Sequence, residues 1–197
     1  MNPYAYQIVT PPTESAVTGA EMERHARAQG QPAEQYEPYI LAAQGFIERG
    51  WGRKLVSQTW KMFLDCWPCT DRIIIPFGRL TAITHVKYTD TAAAQTTFAA
   101  SSYEISTARE PGVLALKYGQ SWPSATLKVL DPIEIQFTCG WASAGEVPSD
   151  IRNAILLVAG HLYEHREDVV IGNDSSVDSK AIELGSRALL VNWKLHV

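Results

Sequence analysis

Cysteine is scarce: three in 197 residues, an odd number, do not make a disulfide framework, which points to a reducing compartment. Positive charge is short as well. Lys and Arg number 17 against 21 Asp and Glu, a formal net charge of −4. Such a chain does not grip nucleic acid through its phosphates, although it can let DNA slide past. The longest apolar run, Ala154 to Gly160, falls far short of the roughly 20 residues that span a bilayer, so no membrane partner is expected. The stretch MNPYAYQIVTPPTESAV has neither the basic region nor the apolar core of a secretory signal. There is no internal repeat. Charged residues make up 19% of the chain and hydrophobic ones 46%, a balance that suits subunits burying surface in an assembly. The length fits one domain, or one with a sizeable insertion.

What is present begins with the stretch from Val147 to Val170. Ile151, Ile155, Val158 and Leu162 recur at helical spacing, widened by Leu156 and Leu157, and Pro148-Ser149-Asp150 supplies a start signal. The helix ends in Glu164-His165-Arg166-Glu167-Asp168, where acids face the negative end of the macrodipole. That is unfavourable locally, so these acids are expected to serve against a neighbouring subunit. Gly160 in mid-helix costs roughly 1 kcal/mol against Ala, which suggests another backbone passing close by.

Upstream, residues 1–16 hold three prolines and read as an extended arm. Thr18 and Glu21 form a capping box opening a short polar helix, Gly19 to Gln29. A second helix runs from about Ala33 to Arg49, with Tyr36, Tyr39, Ile40, Ala43, Phe46 and Ile47 on its apolar face. From Leu55 the period changes to two. Strands are expected around 56–64, at Arg72–Ile75, Thr81–Tyr88, Thr96–Phe98, Tyr103–Ser106, Val113–Tyr118 and Ile133–Cys139. They make a compact antiparallel sheet or small sandwich in an α+β chain. Gly172 to Ser179 is a polar linker, and Ile182 to Leu195 is an apolar piece that must dock on its own chain or on a partner.

Three motifs invite a chemical reading. His161-Leu-Tyr-Glu164-His165 matches H-x-x-E-H, in which two histidines on one helix face ligate zinc beside a glutamate base. This is the basis for the alternative function, a zinc-dependent hydrolase. A third ligand is wanted on another helix, and Glu183 is the one glutamate beyond Glu167, so a polar helix edge is preferred. Cys66-Trp67-Pro68-Cys69 resembles a redox dithiol, but it lies between expected strands with no helix behind it to lower a thiol pKa. A turn with two incidental thiols is preferred. Arg49, Arg53 and Lys54 read as a solvated helix end complementing the dipole, ahead of a phosphate site. No catalytic, cofactor-binding or metal site, and no cofactor, is expected.

Three segments in order carry a family resemblance: YILAAQGFIERGWGRKLVSQTWKMFLD (Tyr39–Asp65), IIIPFGRLTAITHVKYTD (Ile73–Asp90) and CGWASAGEVPSDIRNAILLVAGHLYEHREDVV (Cys139–Val170). Together they resemble the head–tail connector (adaptor) proteins of long-tailed double-stranded DNA phages and related gene transfer agents. The resemblance covers about residues 17–195. It implies a non-enzymatic virion structural protein: a small antiparallel helical bundle (17–54 and 147–170) with a β-rich insertion (55–140), then a linker and C-terminal docking segment (171–197). It implies a ring of about twelve copies beneath the portal protein, assembled in the bacterial host cytoplasm and residing in the particle neck. The ring would extend the DNA channel, through which DNA passes without specific binding, and meet the next tail component, a stopper or tail terminator. Leu189, Leu190, Trp193 and Leu195 are then the expected portal-binding residues. Glu164, Arg166 and Glu167 are the expected subunit-interface residues. The tail IELGSRALLVNWKLHV is only loosely family-like.

Overall fold

A computed structural model describes residues 4–27, 32–164 and 185–195. The chain divides into two units, one of strands (within 1–12 and 57–140, with Leu195) and one of helices (within 13–56 and 141–194). The order is β1 (Tyr4–Thr10), α1 (Gly19–Ala26), α2 (Glu37–Trp51), β2 (Gln58–Leu64), β3 (Arg72–Ile75), β4 (Leu80–Thr89), β5 (Gln95–Thr97), β6 (Tyr103–Ser106), β7 (Gly112–Leu116), β8 (Ile133–Cys139) and α3 (Ser149–Glu164). This is an α+β chain, and the pairings between these strands are antiparallel.

The β unit holds two sheets, a five-stranded one in the order β1-β2-β8-β4-β5 and a three-stranded one in the order β3-β7-β6. Strand β8 is the middle of the first because its alternation is strict. Ile133, Ile135, Phe137 and Cys139 are buried, while Glu134, Gln136 and Thr138 point the other way. Met62 and Val86 both stand in register with Ile135, so its apolar face continues on either side. The second sheet adds Ile73, Ile75, Leu114 and Leu116 to the same core. Gly112 lies where the two sheets approach: a Cβ there would stand 2.5 Å from Leu80 Cβ.

The expected arm divides differently. Tyr4–Thr10 is an edge strand on β2, and Ala16 and Val17 are buried in the helical core. An edge strand exposed on both faces has no alternation to read, and six of its seven residues are exposed. Thr96–Phe98 shifts to Gln95–Thr97, and Val113–Tyr118 ends at Leu116.

In the helical unit the capping box forms: Thr18 Oγ1 accepts from Glu21 N at 3.3 Å, and Glu21 Oε2 accepts from Thr18 N at 2.9 Å. The helix it opens ends at Ala26, with Arg27 left-handed at φ 52°. Ala33–Tyr36 is a 3-10 turn, so α2 starts at Glu37 with Pro38 in its first turn, where no N–H is needed. Met22, Tyr36, Ile40, Ala43, Ile47, Ile151, Ala154, Ile155, Val158 and Ala159 form the core. Residues 165–170, expected to continue α3, lie outside the described residues.

Among the described residues, what comes nearest to Gly160 is side chain and not the expected backbone. Its nearest neighbours are side chains of α1, with Met22 Cε and His25 Cδ2 each 3.7 Å from where a Cβ would be. That is ordinary contact, so Gly160→Ala should raise the unfolding free energy, by up to about 1 kcal/mol from helix propensity. Gly19→Ala should do the reverse, because its Cβ would lie 2.3 Å from Ala33 O. Thermal unfolding of the two variants checks both signs; a destabilised Gly160→Ala would show that the helices are packed more tightly there.

Candidate interaction surfaces

The loop after α2 is organised by one carboxylate. Glu48 Oε1 accepts from Gln44 Nε2 and from Leu55 N, each at 3.1 Å, and Oε2 pairs with Lys54 Nζ at 3.2 Å. Gln44 Oε1 in turn takes Ala16 N at 3.0 Å. Gly52, left-handed at φ 70°, turns the chain back so that Lys54 and Leu55 can reach this group.

The same turn sends Arg53 inward. Its Nε donates to the Trp193 carbonyl oxygen, and its guanidinium carbon lies 5.6 Å from the centre of the Trp193 ring. Trp193 also meets Trp141 edge-on at 6.1 Å. The expectation of a solvated helix end therefore fails for Arg53, which is 6% exposed, and for Lys54, paired with Glu48. Only Arg49 of that cluster is exposed. An arginine followed at long range by a tryptophan carries no signal in the sequence.

The tail forms a helical turn over 185–190 and a 3-10 turn at Val191–Trp193. Leu190 is 1% exposed in the helical core, with Leu189 and Trp193 packed against it. Leu195 is half-buried, and Val191 stands 67% exposed. Of the expected interface residues, Glu164 is exposed at the end of α3, while Arg166 and Glu167 lie outside the described residues.

His161 is half-buried on α3 and His165 lies outside the described residues. Among the described residues no three His, Cys, Asp or Glu side chains come together as metal ligands. Cys66 and Cys69 are exposed in the loop between β2 and β3. Between them Trp67 stacks on Trp122 with centroids 4.8 Å apart and planes 7° from parallel. Trp122 fixes the stack by donating to Thr70 O at 2.9 Å.

The face of the five-stranded sheet opposite its core is polar. Lys61 Nζ and His85 Nε2 reach Glu134 Oε1 at 3.1 and 2.8 Å. Burial pushes the Glu134 carboxyl up, but hydrogen bonds from His85 and Lys61 and their charge outweigh it, holding it below the ordinary 4.5. Glu21 is lowered too: burial raises it, while Thr18 hydrogen bonds and the charges of Arg152 and Arg24 prevail.

Glu48→Ala should cost about 3 kcal/mol in denaturant unfolding, since Leu55 N–H and the Gln44 amide lose a buried acceptor. A cost near zero would mean that the network is peripheral. Because Glu134 is lowered in the folded state, its stabilisation is complete above about 4.5 and fades as pH falls through the folded value. Glu134→Gln should therefore be less stable than the wild type at neutral pH, with the gap closing in acid; a gap that widens on acidification contradicts this.

No protein-family model matches the sequence, and no curated protein does. Solved structures do. The chain is similar, at 25% identity and a TM-score of 0.78, to a chain in the neck of an empty gene transfer agent particle computed with C6 symmetry. A chain in the neck of the native particle, computed with C12 symmetry, matches at 25% identity and a TM-score of 0.76. Each match covers 98% of this chain and 97% of the other. A chain of the native virion matches at 24% identity, a TM-score of 0.77, and 98% and 96% coverage, a likeness of fold. From end to end, this chain has the fold of polypeptides found in the neck of gene transfer agent particles.

Proposed function

We propose that this chain is a non-enzymatic structural component of a particle neck, a head–tail connector that forms a ring beneath the portal. The observation that carries this reading is the end-to-end match to neck chains, 98% of this chain against 97% of theirs, in a structure computed with C12 symmetry. Twelvefold symmetry in that neck supports a ring of about twelve copies here, each joined to the next by one heterologous contact that closes by rotation. The net charge of −4 suits a channel that DNA crosses without being held. The open side of the ring would meet the next tail component, and assembly would take place in the host cytoplasm.

The portal contact falls to the tail. Leu190 anchors the segment in its own helical core, and Leu189 and Trp193 pack beside it. Val191, 67% exposed, is the apolar side chain that this arrangement holds outward. Val191→Asp should therefore leave the fold intact while reducing the joining of tails to filled heads. Removal of residues 180–197 should abolish joining. Normal numbers of tailed particles from the deletion would refute the assignment of the tail to the portal. Equimolar zinc on the purified protein, lost on His161→Ala, would instead support a hydrolase.

A further inference from the structure

Among the described residues, the outward face of α2 carries exposed apolar side chains. Leu41 is 57% and Phe46 49% exposed, and they flank the small residues Ala42 and Gly45 at the middle of that face. Successive residues turn by about 100° around the axis, so this face stands opposite the buried Ile40, Ala43, Gln44 and Ile47. The result is a shallow socket, two large walls and a low floor. Arg49 lies over part of that floor, its Nη1 being 3.2 Å from where a Gly45 Cβ would stand.

The outward face of α3 has the opposite relief. Leu157, 39% exposed, is a single apolar knob. Asp150 and Glu164 lie one heptad before and after it, in line along the helix and roughly 10 Å away in each direction. Among the described residues, Arg49, Asp150 and Glu164 make no ion pair. One face offers an apolar socket with an arginine at its floor; the other offers an apolar knob with an acid one heptad to either side.

We infer that the α3 face of one copy, Leu157 with Asp150 or Glu164, seats in the α2 face of the next copy, between Leu41 and Phe46 with Arg49 against the acid. The occupant is a second copy of this chain, because the complementary charge and shape are both present on it. The two faces belong to different helices, so the contact is heterologous and each copy keeps one of each kind free for further growth. This inference deepens the connector reading by naming the surfaces that join its subunits. An antiparallel crossing brings Arg49 toward Asp150, and a parallel one toward Glu164.

The test is mixing. Leu157→Asp removes the knob and Leu41→Asp with Phe46→Asp removes the socket; all three residues are exposed, and circular dichroism confirms that each variant is folded. In sedimentation at up to about 1 mM, the wild type should form oligomers larger than dimers, and each variant alone should remain monomeric. The two variants mixed should give a one-to-one dimer that grows no further. Arg49→Glu should also be monomeric, and adding Asp150→Arg or Glu164→Arg to it should restore association. A wild type that is monomeric throughout, a variant that still oligomerises alone, or a mixture without dimer would overturn the inference. The wild-type chain, if located in a particle neck but failing these tests, would sink this inference and leave the connector reading; association by these faces in a protein absent from particles would do the reverse.

Discussion

Where the chain leaves the helices and where it rejoins them, a short series of bonds holds the two crossings side by side. Glu48 fixes Leu55 N at 3.1 Å, and Leu55 O accepts from Trp141 N at 2.9 Å. Val56 and Trp141 then form a parallel bridge. The chain leaves the helices at Val56 and returns at Trp141, and the β2–β8 ladder takes over from Gln58 opposite Cys139. Trp141 is also where the tail is caught, through Trp193 and Arg53. A buried carboxylate is costly without partners, and Glu48 is held by Gln44, Leu55 N and Lys54 together. The cost is met where the chain must turn from helix to insertion and back.

Much of this architecture is legible where one face is buried and the other is not. The alternation along Ile133–Cys139 places β8 correctly because it is flanked on both sides and covered on one face. The Thr18–Glu21 box marks the start of α1 because both of its hydrogen bonds are local. The edge strand β1 is illegible for the converse reason: with a partner on one side only and most side chains in solvent, YAYQIVT has no periodic constraint. Between the two arrangements the sequence allows, one sheet or a small sandwich, the strands form two sheets, with Gly112 approaching Leu80 across a long sequence separation.

The interaction surfaces were less legible than the fold. Apolar residues in the tail signalled that it must dock, but not that Leu190 would be spent on its own core. The basic cluster after α2 looked like a solvated end because sequence reveals charge and not direction; the left-handed Gly52 turns Arg53 onto Trp193. The expected apolar face of α2 includes Phe46 and omits Leu41, yet both stand exposed, turned away from the buried Ile40, Ala43 and Ile47. Resemblance to connectors supplies the functional reading, and the fold is that of neck chains over 98% of this chain.

Several polar side chains of the described residues serve as joints. Glu48 and Glu134 tie elements together, Trp193 secures the tail, and Leu41, Phe46 and Leu157 stand exposed on outward helix faces. Cryo-electron imaging of particles carrying a tagged copy of this protein tests that account most directly. A ring of about twelve copies around the channel, between portal and tail, is the predicted result. Density for the tag elsewhere in the particle, or particles with complete necks that lack the protein, would contradict it.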